Sequence, residues 1–179
     1  MNARLLKVID GDTIDVELIW WSWCLRKRKQ ERIRFAGMDT PEMKPTPEPY
    51  AQEATDFVRK HLTGRVRIEF AIHEKTGEWI RESGSWDSKR LIGIVYAGRK
   101  NINCELVRQG LAKLYQTPTW MTSSFNASLK TALQEAQSKK RGLWKEKTSK
   151  RRETSFLFWA WSGFVVCMIL SGLYFLFIL

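Results

Sequence analysis

The sequence predicts an α+β protein: a small closed barrel of five strands with three helices, followed by one transmembrane helix. Three observations predict it. Short runs with apolar residues at every second position recur between glycine-rich turns, the pattern of half-buried strands. Three longer stretches repeat their apolar residues with helical spacing. Residues 155–179 carry no charged side chain at all.

Length and charge set the frame. The chain has 179 residues and a formal net charge of +11. That length suits one domain with a real core. The charge points to a polyanionic partner, nucleic acid or an anionic membrane surface. Cys24, Cys104 and Cys167 are far apart and odd in number, and no disulfide framework or zinc spacing can be read from them. His61 and His73 have no metal partner nearby in sequence, which argues against histidine chemistry.

The elements follow in order. Residues 3–9 read as a short strand. Asp10-Gly11-Asp12 is a tight turn. Ile14, Val16 and Leu18 then alternate with polar residues as a second strand. The run 19–29 breaks the alternation with Trp20, Trp21 and Trp23, then Arg26, Lys27, Arg28 and Lys29. It reads as an enlarged hairpin tip, either locally packed or a contact surface that stacks bases or enters a bilayer interface. An anchor elsewhere in the chain favours the bilayer.

Residues 31–42, ERIRFAGMDTPE, begin as a strand and end as a loop. Ile33 and Phe35 alternate with Arg32 and Arg34. Gly37 loosens the backbone and Pro41 stops any helix. Asp39 and Glu42 flank that proline, just beyond Arg34. Two acids and an arginine this close suit a site that holds a metal and grips a phosphate. They equally describe a polar turn with a surface ion pair.

A proline-rich loop leads to a helix over about 50–62, with Ala51, Ala54, Val58 and Leu62 on one face. Residues 65–72 alternate as a strand. The polar segment 73–89 is a loop or hairpin tip, and 90–97 is a strand. Asn103 is the expected N-cap of a helix that turns Leu106, Val107, Leu111 and Leu114 inward. A last helix covers about 124–141, closed by Gly142. Five short strands punctuated by glycine suit an OB-fold barrel.

The C-terminal run 155–179 is long enough, at roughly 36 Å as a helix, to cross a hydrocarbon core. Trp159, Trp161 and Tyr174 stand near its ends, where aromatic anchors prefer the interface. Lys145, Lys147, Lys150, Arg151 and Arg152 precede it, so the rest of the chain is expected on the cytoplasmic side. No apolar run near Met1 has the length of a signal peptide, so a C-terminal anchor is expected. The expected organisation is a domain over 1–144, a basic linker over 145–154 and a span over 155–179.

Several motifs resemble the staphylococcal nuclease-type family: VIDGDT at 8–13, RFAGMDTPE at 34–42, WDSKRLIGIVY at 86–96, ELVRQGLAKLY at 105–115 and SKKRGLW at 138–144. Ordered motifs over most of residues 3–144 are more specific than any one of them. The resemblance implies an OB barrel with three helices that hydrolyses phosphodiester bonds of DNA and RNA with Ca2+. It implies Asp12, Asp39 and Thr40 as metal ligands, the last through its carbonyl. It implies Glu42 acting on the attacking water, and Arg34 and Arg90 binding the phosphate. Ser88-Lys89 stands where the family usually carries Tyr-Gly before that second arginine. Lys89, Lys113 and Tyr115 are the expected contacts to the substrate. A non-catalytic binding module is the alternative. It has no use for acids facing a phosphate, and the set Asp12, Arg34, Asp39, Glu42 and Arg90 therefore favours the enzyme.

Overall fold

In the computed structural model, residues 1–22, 25–72, 77–81, 90–115 and 122–145 are described. The chain divides into a unit Met1–Leu143 and a unit Trp144–Leu179. Nearly all of the second unit, including the apolar run 155–179, lies outside the described residues. No helix among the described residues is long and apolar enough to cross a membrane.

The first unit is built on strands β1 (Asn2–Val8), β2 (Thr13–Ser22), β3 (Leu25–Phe35), β5 (Arg65–Phe70) and β6 (Leu91–Ala97). They pair antiparallel in the order β3-β2-β1-β5-β6, and a parallel pairing of β3 with β6 closes the barrel. The expected five-stranded closed barrel is therefore present, in keeping with an OB fold. A two-residue strand, β7 (Lys100–Asn101), extends β6. Another, β4 (Met38–Asp39), pairs with β8 (Lys113–Leu114) as a separate ribbon. Among the described residues three helices accompany the barrel: α1 (Ala51–His61), α2 (Ile102–Arg108) and α3 (Ser123–Ser138).

Alternation makes the core. Ile14, Val16 and Leu18 on β2, Ile33 and Phe35 on β3, Val66 and Ile68 on β5, and Leu91 and Val95 on β6 are all buried. Ala54 and Val58 of α1, Leu106 and Val107 of α2, and Leu129 and Ala132 of α3 join the same cluster. The polar partners in each strand face outwards, because successive strand side chains point to opposite faces.

Two expectations are corrected. The run 19–29 is not an enlarged hairpin tip. The β2–β3 ladder continues through Ile19↔Arg28, Trp20↔Lys27 and Trp21↔Arg26 to Ser22↔Leu25. Aromatic and β-branched residues favour extended backbone, and the paired strand supplies the hydrogen bonds that a loop would lack. Trp20 packs against the core rather than on a loop of its own. Trp23 lies outside the described residues.

Asn103 is not a helix cap. Asn101 caps α2, its side chain accepting from the Cys104 amide at 3.1 Å. Asn103 is fully buried and ties three segments together. Its Oδ1 accepts from the Val95 amide at 2.9 Å, and its Nδ2 donates to the carbonyls of Ala36 at 3.0 Å and Gly93 at 3.4 Å. The helix also ends at Arg108, so Leu114 sits in β8 and not on the helix.

Candidate active site

The site lies where β2 begins and β3 ends. These positions are forced together by the register Thr13↔Arg34. The Asp10-Gly11-Asp12 turn delivers the first acid. Asp10 Oδ1 accepts from the Asp12 amide at 3.1 Å, which holds the turn. Gly11 is required by close approach: a Cβ there would stand 2.8 Å from Ala54 Cβ and 2.9 Å from Thr40 Oγ1. The turn thus lies directly on α1 and on the loop after β4.

Asp12 is the centre. It is only 2% exposed and accepts hydrogen bonds from three sides. Arg34 Nη1 donates to its Oδ1 at 2.7 Å and Thr13 Oγ1 to the same oxygen at 3.0 Å. The Thr40 amide donates to Oδ2 at 3.0 Å. Burial nevertheless pushes its carboxyl up from 3.8 to about 6, and Asp10 adds to the rise, against the lowering by Arg34. A carboxylate so poorly solvated gains from any nearby cation.

Arg34 is shared. Its Nη2 also donates to Asp39 Oδ1, so one guanidinium joins the two acids. Gly37 makes this reachable. At φ 72 it turns the chain from β3 into β4, in a conformation that favours glycine. Asp39 then sits on β4 opposite Lys113 of β8. The Tyr115 amide donates to the Gly37 carbonyl at 3.2 Å, and Tyr115 is 65% exposed.

Arg90 enters from the closing strand, one residue before the parallel pair Ile33↔Leu91. Its Nη1 donates to Thr13 Oγ1 at 3.5 Å. A continuous chain therefore runs Arg34–Asp12–Thr13–Arg90. The structure thus brings together Asp12, Arg34, Asp39, Thr40 and Arg90, with Lys113 and Tyr115 on the adjoining ribbon. Lys89 lies outside the described residues. Glu42 is exposed on the loop after Thr40; its amide donates to Glu48 Oε2 at 3.2 Å. It does not join the two aspartates: among the described residues no cluster of three or more acids, histidines or cysteines is placed to hold a metal.

Thr13 is the residue that sequence reading missed. Its only signal was its position next to Asp12, on the same strand face as Arg34. The sequence has no way to announce that its hydroxyl links the acid to Arg90, because that contact spans 77 residues.

Asp12 and Asp39, joined through Arg34, offer carboxylate oxygens of the kind a hard divalent ion takes. The buried, poorly solvated Asp12 is the group such an ion would stabilise most.

Two arginines brought to one buried carboxylate at the end of a barrel suit the class of hydrolases acting on phosphodiesters, the nucleases. The staphylococcal nuclease homologue family matches residues 32–146. Thermonuclease of Staphylococcus hyicus is 33% identical over 146 residues, covering 79% of this chain and 74% of its own. Thermonuclease of Staphylococcus intermedius is 33% identical over 142 residues, with 77% and 73% covered. An uncharacterized endonuclease of Escherichia coli is 29% identical over 150 residues, with 82% and 78% covered. The chain belongs to the staphylococcal nuclease homologue family.

Proposed function

We propose that the protein hydrolyses phosphodiester bonds of DNA and RNA with the help of Ca2+, and that residues 155–179 tether it to a membrane. The single observation that carries the catalytic reading is the chain Arg34–Asp12–Thr13–Arg90. It sets two guanidinium groups on either side of one buried acid.

Each residue then has a task. A phosphodiester is already anionic, and attack by water builds more charge on its non-bridging oxygens. Arg34 and Arg90 offer planar forks to those oxygens, which lysine cannot match. Asp12 and Asp39 hold Arg34 in place from two sides. Asp12, Asp39 and the Thr40 carbonyl would hold the cation, which when bound supplies charge neutralisation for the phosphate. Glu42 takes the proton of the attacking water. Its exposure leaves it open to solvent, from which the attacking water comes. Lys113, Tyr115 and Lys89 would contact the polynucleotide on either side.

Support for the tether comes from the uncharged run 155–179 and the basic residues before it. These argue for a single span with the barrel on the cytoplasmic side.

The test uses the purified full chain in mild detergent. Cleavage of DNA and RNA is expected with Ca2+ and is expected to stop on chelation. Glu42→Gln is expected to lose most turnover with an unchanged melting temperature. Turnover that survives in that variant removes Glu42 from the mechanism. Chain that remains in the aqueous phase without detergent defeats the tether.

A further inference from the structure

We propose that the outer face of β3 is a second phosphate-binding site, which seats the polynucleotide beyond the bond being cut. The proposal rests on the nuclease reading and names how that site takes an extended single strand.

The observation is a periodicity joined to a groove. Arg28, Gln30, Arg32 and Arg34 occupy alternate positions of one strand and so share one face. Successive side chains on that face are about 7 Å apart. That step is of the order of the phosphate spacing along an extended single strand. Arg34 is the site arginine, so the row begins at the chemistry and leads away from it. A groove of about 500 Å³ is lined by two residues of this face, Gln30 and Arg32, together with Lys7, Asp15, Glu31 and Arg90 among others. Arg90 belongs both to this groove and to the site, through Thr13. The groove is therefore continuous with the place where the phosphate is attacked.

The acids in the groove do not cancel it. Asp15 holds Arg32 from the side, accepting from Nε at 2.8 Å and Nη2 at 3.2 Å. This pair orients the fork along the groove. The Arg32 side chain remains 42% exposed. Glu31 is matched by Arg81 and Lys29. Glu17 approaches Arg28 only loosely, at 3.8 Å, and the Arg28 side chain is 52% exposed. Arg32 with Lys7 takes the phosphate next to the scissile one. Arg28 takes a further one, and Gln30 between them offers an amide to sugar or base.

A lipid surface is the competing occupant of a basic face. The described part of the groove lacks the apolar wedge that a bilayer interface requires, since only Leu6 among its lining is a large exposed hydrophobe. Continuity with the site favours the polynucleotide.

The test compares the full chain in detergent with Arg28→Gln/Arg32→Gln and with Lys7→Gln. Cleavage is measured on a dinucleotide and on a single-stranded dodecamer. Dodecamer binding is measured under chelation across a salt series. For the double variant KM for the dodecamer is expected to rise about tenfold, with the dinucleotide unchanged. The slope of log affinity against log salt is expected to become shallower by about 1.4, the value for two phosphate contacts on a single strand. Lys7→Gln is expected to move both readouts in the same direction by less. An equal change for both substrates, or an unchanged slope, overturns the proposal. A variant that keeps its dodecamer affinity but binds short-chain phosphatidylserine more weakly overturns it in favour of lipid. Failure of the parent chain to cut either substrate would defeat the nuclease reading instead, while the salt slope would still decide the groove.

Discussion

Arg81 grips Glu31 with both terminal nitrogens, at 3.1 and 3.2 Å, across fifty residues of sequence. The Glu31 side chain is only 8% exposed, and Lys29 also pairs with its Oε1. Arg81 is also bridged to Leu91, the neighbour of Arg90. The ion pair and the bridge therefore tie Arg81 both to β3 and to the start of β6, close to the parallel seam that closes the barrel. Glu31→Gln is expected to lower stability by about 1–2 kcal/mol, a partly buried pair discounted for the exposed arginine. It is also expected to lower kcat, because Arg90 loses part of its support. Chemical denaturation and steady-state kinetics on the same preparation check both.

The same pair has a pH signature. Burial raises the Glu31 carboxyl, but the hydrogen bonds from Arg81 and Lys29 outweigh it, and the group titrates below its ordinary 4.5. A depressed carboxyl stabilises the fold above its unfolded value and loses that contribution as pH falls through the folded one. The melting-temperature gap between the parent chain and Glu31→Gln is therefore expected at neutral pH and is expected to shrink below pH 4.5. A gap that is constant down to the acid limit contradicts it.

Arg34 both organises the acids and faces the phosphate. Arg34→Lys keeps a charge but not the fork that joins Asp12 to Asp39. Loss of about 3–4 kcal/mol at the transition state is expected, by comparison with other lost charge-stabilising donors. Turnover within tenfold of the parent would show that charge alone suffices there.

Gly11 is set by contact. Gly11→Ala is expected to cost about 1–3 kcal/mol by overpacking, since the new methyl meets Ala54 Cβ at 2.8 Å. Because Gly11 adjoins Asp12, activity is expected to fall further than stability. Adding Ala54→Gly removes one of the two obstacles, so the double variant is expected to be less destabilised than the sum of its parts. Strict additivity in thermal melts would show that Ala54 is not the obstacle.

Asn103 holds the barrel to α2. Asn103→Leu conserves bulk but strips partners from the buried Val95 amide and the Ala36 and Gly93 carbonyls. A loss of about 2–4 kcal/mol is expected, from desolvated backbone groups left without their hydrogen bonds. Asn101→Ala, which removes only a helix cap, is expected to cost about 1 kcal/mol. Equal costs for the two would deny Asn103 its role as a link.

Local pattern alone determined which residues turn inwards. Ile14, Val16, Leu18, Ile33 and Phe35 read as the apolar face of their strands and are buried, because alternation is a property of the backbone itself. The helix over α1 was equally plain, since its spacing needs no distant partner. The acids and arginines of the site could be named from motifs, yet their assembly was another matter. Asn103 read locally as a cap, and only its partners, contributed by β6 and the turn after β3, show it to be a buried link while Asn101 does the capping. The tryptophan run looked like a loop because its apolar residues are consecutive, and only pairing with β3 made it a strand. Arg90 reached Thr13, and through it Asp12, because β3 and β6 close side by side. Sequence carries the periodicity of each element, while contacts between residues far apart along the chain exist only once the barrel has closed.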